Sequence, residues 1–229
     1  MPTNRRATSV VKELVKEAAE VIILDQINCP KESFSRYSIL LKVPNHDGIK
    51  IECTETQDEK VLVEWLNEHL VNLTPKVIGF SFRELKNDTP ISWIQFSTKT
   101  SNVMYRIRDN EFPSCVSVVF KMKNWVLLGT NVVEKYLKPT LVNFHGIDDL
   151  VGPSTEFIVV DPSTVSKSKF ENGVFTPIVA RLTLLATKLK EKSCNWHLGK
   201  LQRDQILFAV LELHLGINIY SGGIALKNC

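Results

Sequence analysis

The sequence predicts an α/β fold with a mixed central sheet flanked by helices. Three observations carry that expectation. Short β-branched and aliphatic runs crowd the first half of the chain. Helical and strand-like periods alternate through the middle, and two helical patterns close the sequence.

At the start, Ser9 to about Asp25 spaces Val10, Val11, Leu14, Val15, Ala18, Ala19 and Ile22 at helical intervals, which predicts a helix packed on its own domain or, as the alternative, on a partner. Tyr37 to Val43 and Ile49 to Cys53 flank Pro44-Asn45-His46-Asp47-Gly48 and read as a hairpin. Thr56-Gln57-Asp58-Glu59 has the pattern of a capping box, opening a helix with Val61, Leu62, Trp65, Leu66 and Leu70 on one face and ending near Asn72. Lys76 to Phe82 is a nearly continuous apolar run, as a buried central strand requires. Ile91 to Ser97 and Asn102 to Ile107 follow as strands around a short Lys99-Thr100-Ser101 turn. A polar start at Pro113, Ser114 and Ser117 leads into an apolar segment, and Trp125 to Gly129 reads as another buried strand. Val132 to Leu137 suggests a helix stopped by Pro139, and Phe157 to Val160 a last strand. Pro177 to Lys190 and about Gln202 to Tyr220 complete the helices, with Ser221-Gly222-Gly223 as the final stop. Residues 1–55 are thus a helix-and-hairpin extension and 56–229 the main domain.

Composition narrows the class. The chain has 229 residues, 44% apolar and 23% charged, as in an ordinary globular protein. No run approaches the roughly 20 apolar residues of a membrane span. The two arginines near the start precede no apolar run, so no secretory signal is expected. Cys29, Cys53, Cys115, Cys194 and Cys229 form no CxxC pair, which suits a reducing compartment, cytoplasm or nucleus, and neither a disulfide framework nor a zinc site. A net charge of +3 does not by itself announce a nucleic-acid ligand. His46, His69, His145, His197 and His214 show no metal-ligand spacing, and no glycine-rich phosphate loop is present.

From Thr56 to Tyr220 the sequence resembles the ribonuclease-H-like DEDD 3′–5′ exonucleases of the ribonuclease D and Werner type. Lys76-Val77-Ile78-Gly79-Phe80 resembles the strand that precedes the family's Asp-x-Glu. Ile94-Gln95-Phe96-Ser97 is similar to its I-Q-L-A strand, and Met104-Tyr105-Arg106-Ile107 to the strand after it. Leu128-Gly129 stands where a V-G precedes the second motif, and Cys194-Asn195-Trp196 resembles a C/S-x-W element. Leu201, Gln205, Phe208, Ala209 and Glu212 reproduce the spacing L-x-x-x-Q-x-x-Y-A-x-x-D, with Gly216 to Tyr220 continuing that helix. The resemblance implies a ribonuclease-H-like exonuclease fold.

The same resemblance locates a degenerate catalytic site. The family holds two divalent ions with four acidic ligands, and a tyrosine or histidine orients the attacking water. Here Asp-x-Glu falls on Ser81-Phe82-Arg83. A serine hydroxyl is a poor ligand for a hard cation, and arginine stays charged and opposes one. Glu84 is no substitute, because neighbouring strand residues face opposite sides. The second motif's acid falls on Lys135, or on Glu134 with a one-residue shift. Phe208 lacks the tyrosine hydroxyl, and Glu212 replaces an aspartate. Arg83 and Glu212 are expected to face each other.

These readings predict a chain that is not an enzyme: a pseudo-exonuclease with no cofactor and no metal, serving as a protein-interaction scaffold or an RNA-binding module in an RNA-processing or small-RNA pathway. Degenerate relatives imply a protein partner or homodimer. Arg83, Lys121, Lys123, Lys135 and Lys138 are the candidate nucleic-acid contacts around the old cleft, against the alternative that the lysines are solvated surface. An active metal-dependent 3′–5′ exonuclease with an atypical site is the second reading, and an unrelated α/β protein the third.

Overall fold

The structure is a computed structural model that describes residues 19–29, 33–44, 47–74, 76–84, 91–108, 113–120, 125–129, 156–159, 177–192, 196 and 200–227. Its strands are β1 (Glu20–Cys29), β2 (Phe34–Lys42), β3 (Ile49–Thr56), β4 (Val77–Glu84), β5 (Ile91–Ser97), β6 (Ser101–Arg106), β7 (Val126–Gly129) and β8 (Glu156–Val159). The helices are α1 (Glu59–Leu70), α2 (Ser114–Phe120), α3 (Pro177–Lys192) and α4 (Arg203–Lys227).

The eight strands among the described residues join one sheet in the order β1-β2-β3-β6-β5-β4-β7-β8. β1, β2 and β3 form an antiparallel meander, and β3 runs parallel to β6. β5 is antiparallel to both its neighbours, β6 and β4, and β7 and β8 continue parallel from β4. The sheet is mixed, as the strand pattern predicts. The boundary expected after residue 55 falls at the end of β3, and the N-terminal strands lie in the same sheet as the rest.

Strand alternation divides the core in two. Ile78, Phe80 and Phe82 of β4 join Ile94, Phe96, Val103 and Tyr105 beneath α1 and α2. Tyr37, Ile39, Leu41, Ile51, Cys53, Trp93 and Met104 lie on the opposite side, beneath α3 and α4. α4 is buried from Gln205 to Leu215, polar residues included, so it is a core helix covered on all sides. At Gly79 a Cβ would lie 3.4 Å from Ile217, so glycine lets β4 and α4 approach closely.

Three local expectations are corrected, and one segment left without an element is assigned. The helix predicted over Ser9–Asp25 lies outside the described residues up to residue 18, and from Glu20 onward the chain is strand. Val21-Ile22-Ile23-Leu24 is a β-branched apolar run that fits both periods, and pairing with β2 decides it. The cap of α1 is Asp58, whose side chain accepts from Lys60 N; Thr56 instead ends β3 and accepts from Asp58 N. Ser114 to Phe120 is a helix, α2. The last helix runs through Ser221-Gly222-Gly223 to Lys227, because propagating an established helix tolerates glycines costing about 1 kcal/mol each. The helix expected at Val132–Leu137 lies outside the described residues.

Candidate functional site

Period-two alternation along β4 sends Ser81 and Arg83 to the α4 side, opposite Phe80 and Phe82. Pairing register places Arg83 across from Trp93 on β5, and Trp93 across from Arg106 on β6. A row Arg83–Trp93–Arg106 therefore crosses three neighbouring strands on one face. α4 lies over its β4 end and supplies Phe208 and Glu212, one helical turn apart.

Arg83 Nη2 donates to Glu212 Oε2 in an ion pair whose side chains are 11% and 5% exposed. The guanidinium carbon sits 4.8 Å from the Trp196 ring centre and 5.3 Å from that of Phe208. Cation–π attraction of this kind adds about 0.5–2 kcal/mol per ring as water is excluded. Trp93 Nε1 donates to Trp196 O at 3.3 Å, tying Trp196 to β5. Ser92 Oγ donates to Arg83 O, which holds the end of β4. Arg83 is thus held between two rings and neutralised by a buried carboxylate. Ser81 is fully buried beside it, its hydroxyl without a partner among the described residues.

Of the sequence-predicted site residues, the structure brings together Arg83, Phe208 and Glu212, with Ser81 two residues before Arg83 on the same face. Glu134, Lys135, Lys121, Lys123 and Lys138 lie outside the described residues. Sequence reasoning missed two aromatic neighbours of Arg83, Trp196 and Trp93. Trp196 could have been found, since the Cys194-Asn195-Trp196 element was already marked; Trp93 reads as ordinary core.

These described residues do not fit a pair of divalent ions. Their one carboxylate, Glu212, is already bonded to Arg83. A divalent ion about 4 Å from that guanidinium would meet repulsion on the order of 8 kcal/mol at an effective dielectric near 20. Among the described residues no three His, Cys, Asp or Glu side chains converge.

Further polar groups are buried on this side. Tyr37 Oη donates to Glu55 Oε2 at 2.6 Å, and Leu201 N donates to the other oxygen at 3.2 Å, tying the entry of α4 to β2 and β3. Burial, and then the bond to Glu55, raises the Tyr37 pKa. Burial also raises that of the Cys53 thiol. His214 on α4 is almost wholly buried, and burial pushes its pKa down to about 4, with the Lys99 charge a smaller contributor.

No protein-family profile and no curated protein matches the chain. Solved structures do. The Nibbler EXO domain of Aedes aegypti superposes with a TM-score of 0.50 at 14% identity, over 73% of this chain and 85% of that one. The EXD2 exonuclease domain soaked in Mg and GMP is 16% identical over 75% of this chain and 87% of that one, with a TM-score of 0.35. The likeness to the Nibbler domain shows an exonuclease-like, ribonuclease-H-like fold. It also overturns the expectation of a chain that is not an enzyme, because the shared fold is that of an exonuclease domain. The ligand set at Ser81, Arg83 and Glu212 bears on metal chemistry at that point alone.

Proposed function

We propose that the chain engages single-stranded nucleic acid, RNA foremost, on the α4 side of its exonuclease-type sheet, within an RNA-processing pathway of the cytoplasm or nucleus. The row Arg83–Trp93–Arg106 carries this reading. Guanidiniums and aromatic rings are the groups that hold phosphates and bases of a single strand without reading its sequence. Arg83 is reached only in competition with Glu212, Trp93 is buried between the two arginines, and Arg106 is partly exposed at the far end of the row with an interaction of its own. The unpaired thiols of Cys29, Cys53 and Cys115 support a reducing compartment. Among the described residues no helix is long and apolar enough to cross a membrane.

Fluorescence anisotropy with labelled single-stranded RNA, single-stranded DNA and duplex, with and without Mg²⁺ or Mn²⁺, tests the reading. Single strands should bind most tightly and weaken steeply with salt. Running the same samples on a denaturing gel reads any shortening of the label directly. Absence of single-strand binding at low salt would sink the proposal.

A second reading, a protein partner or a homodimer, is favoured by β1. Among the described residues it is a ten-residue edge strand, and Leu24 and Ile27 on it are 49% and 54% exposed. Such an edge offers unpaired backbone groups to another strand. Light scattering on the chain and on Leu24→Lys/Ile27→Lys should show an assembly that the variant loses; a monomer in both cases excludes self-pairing.

A further inference from the structure

β1 lies at one end of the sheet, and among the described residues no strand pairs with its outer side. Natural edge strands are shielded by lysine or proline, or by a bulge. From Glu20 to Cys29 there is no lysine and no proline, and the only charged residues are Glu20 and Asp25. There is a bulge. Ile23 pairs with Ile39 and Asp25 with Ser38, so Leu24 is the extra residue. Asp25 Oδ1 accepts from Gln26 N at 2.8 Å, so the bulge satisfies a backbone donor of its own.

That bulge decides which side chains of β1 share a face. Opposite residues of an antiparallel pair lie on one face. Val21 and Ile23 stand opposite Leu41 and Ile39 and pack on the core beneath α3 and α4, and Gln26 stands opposite Tyr37 on the same side. Ile22 and Ile27 stand opposite Leu40 and Arg36, on the other face. In a regular strand, residues five apart face opposite ways. Across the bulge, Ile22 and Ile27 face the same way.

We infer that β1 pairs antiparallel with β1 of a second copy, end to end, about a two-fold axis between Leu24 and Asp25. Glu20 then stands opposite Cys29 of the second copy, Val21 opposite Asn28, Ile22 opposite Ile27, Ile23 opposite Gln26 and Leu24 opposite Asp25. Only the bulge lets the pairs on either side of it share a face. No acid meets an acid, and the apolar pair Ile22–Ile27 forms twice, once on each side of the axis. The exposed Leu24 is beside the axis, next to its own copy. Sliding the register by two residues one way sets Glu20 against Ile27 and Asp25 against Ile22. Sliding it the other way sets Asp25 against Gln26, which faces the opposite side. The end-to-end register is therefore the one that composition and face both favour. Because core-side residues meet core-side residues, the α4 sides of both copies lie on the same side of the joined sheet. The inference rests on the second reading above, and it names the partner and the register.

Light scattering of the full chain over a concentration series reads its mass against the 26.0 kDa of one copy, and a dimer is expected. Ile22→Lys and Ile27→Glu, each alone, should weaken the dimer about tenfold or more, because each sets a charge against an isoleucine at both contacts. Combined in one chain, the two substitutions bring opposite charges together across the axis, and most of the lost affinity should return. Melting curves check that every variant folds. A monomer at all concentrations would overturn the register and self-pairing together, leaving the edge to a strand of another protein. A dimer that Leu24→Lys/Ile27→Lys abolishes, but that the combined charges do not restore, would overturn this register and leave self-pairing at β1 standing. A dimer indifferent to every variant would place the interface elsewhere and overturn both.

Discussion

The two faces of this sheet are built from alternate residues of the same strands, yet they obey different rules. Beneath α1 and α2 the contacts are mostly apolar: Phe80, Phe82, Phe96 and Phe120 meet edge-on, tilted or stacked at 5.4–6.3 Å between ring centres. Beneath α4 an equally buried layer contains Ser81, Gln95, Asn102, Glu212 and His214. Both faces exclude water, but the first confines its polar groups to one hydrogen-bonded cluster, Trp65 Nε1 and His69 Nε2 on Ser101 Oγ, whereas the second buries several without a partner among the described residues. A polar atom buried without a partner loses its hydration for nothing, so this side is where ligand or function would repay the cost.

Breaking that contrast at its strongest point means removing Arg83. Arg83→Ala leaves Glu212 charged, buried and alone, and a one-sided break of a buried pair costs about 3–5 kcal/mol. Denaturant unfolding should show a loss of that size. Replacing both partners with apolar residues, Arg83→Met with Glu212→Leu, should restore most of it, because no charge is then stranded. A double variant as unstable as Arg83→Ala would mean the pair is worth more than its desolvation.

What could be read in advance follows the same division. The apolar face was legible because its signal is local: Ile78, Phe80 and Phe82 alternate with a period of two, and Leu62, Trp65, Leu66 and Leu70 follow a helical one. The partnership of Arg83 with Glu212, 129 positions apart, was legible only through the resemblance that placed both in one cleft. Two things were not legible. The strand at Glu20–Cys29 is settled by pairing with β2, which no local pattern contains. The row Arg83–Trp93–Arg106 joins three strands, and no spacing in the sequence places its members side by side.

A proton distinguishes the faces next. His214 is neutral in the folded chain, its pKa pushed from 6.5 down to about 4 by burial. Between those values the unfolded chain takes up a proton that the folded one does not. The contribution of His214 is therefore complete above about pH 6.5 and declines as pH falls, levelling off below about 4. Some 2.5 units at 1.36 kcal/mol each bounds the loss at about 3 kcal/mol. The difference in stability between the chain and His214→Leu, followed by denaturant unfolding from pH 7 to 4, should change by most of that amount. A pH-independent difference would place His214 in contact with water.

The smallest effect is the sharpest comparison, because it uses two adjacent residues of β4. Phe80 and Ser81 are both fully buried, one facing α2 and the other α4. Phe80→Ala opens a cavity beside Phe82 and Phe120 and should cost about 3–5 kcal/mol. Ser81→Ala removes one hydroxyl that has no partner among the described residues. Alanine keeps the backbone and the Cβ, so packing barely changes. If the hydroxyl is unsatisfied, its removal lifts a desolvation penalty, and the variant should be unchanged or more stable by up to about 1 kcal/mol. A loss of 1 kcal/mol or more would mean that Ser81 donates to a buried water or to a residue beyond those described. The polar groups of the α4 side would then be members of one connected network, and the contrast between the faces would lie in hydrogen bonding as well as in polarity.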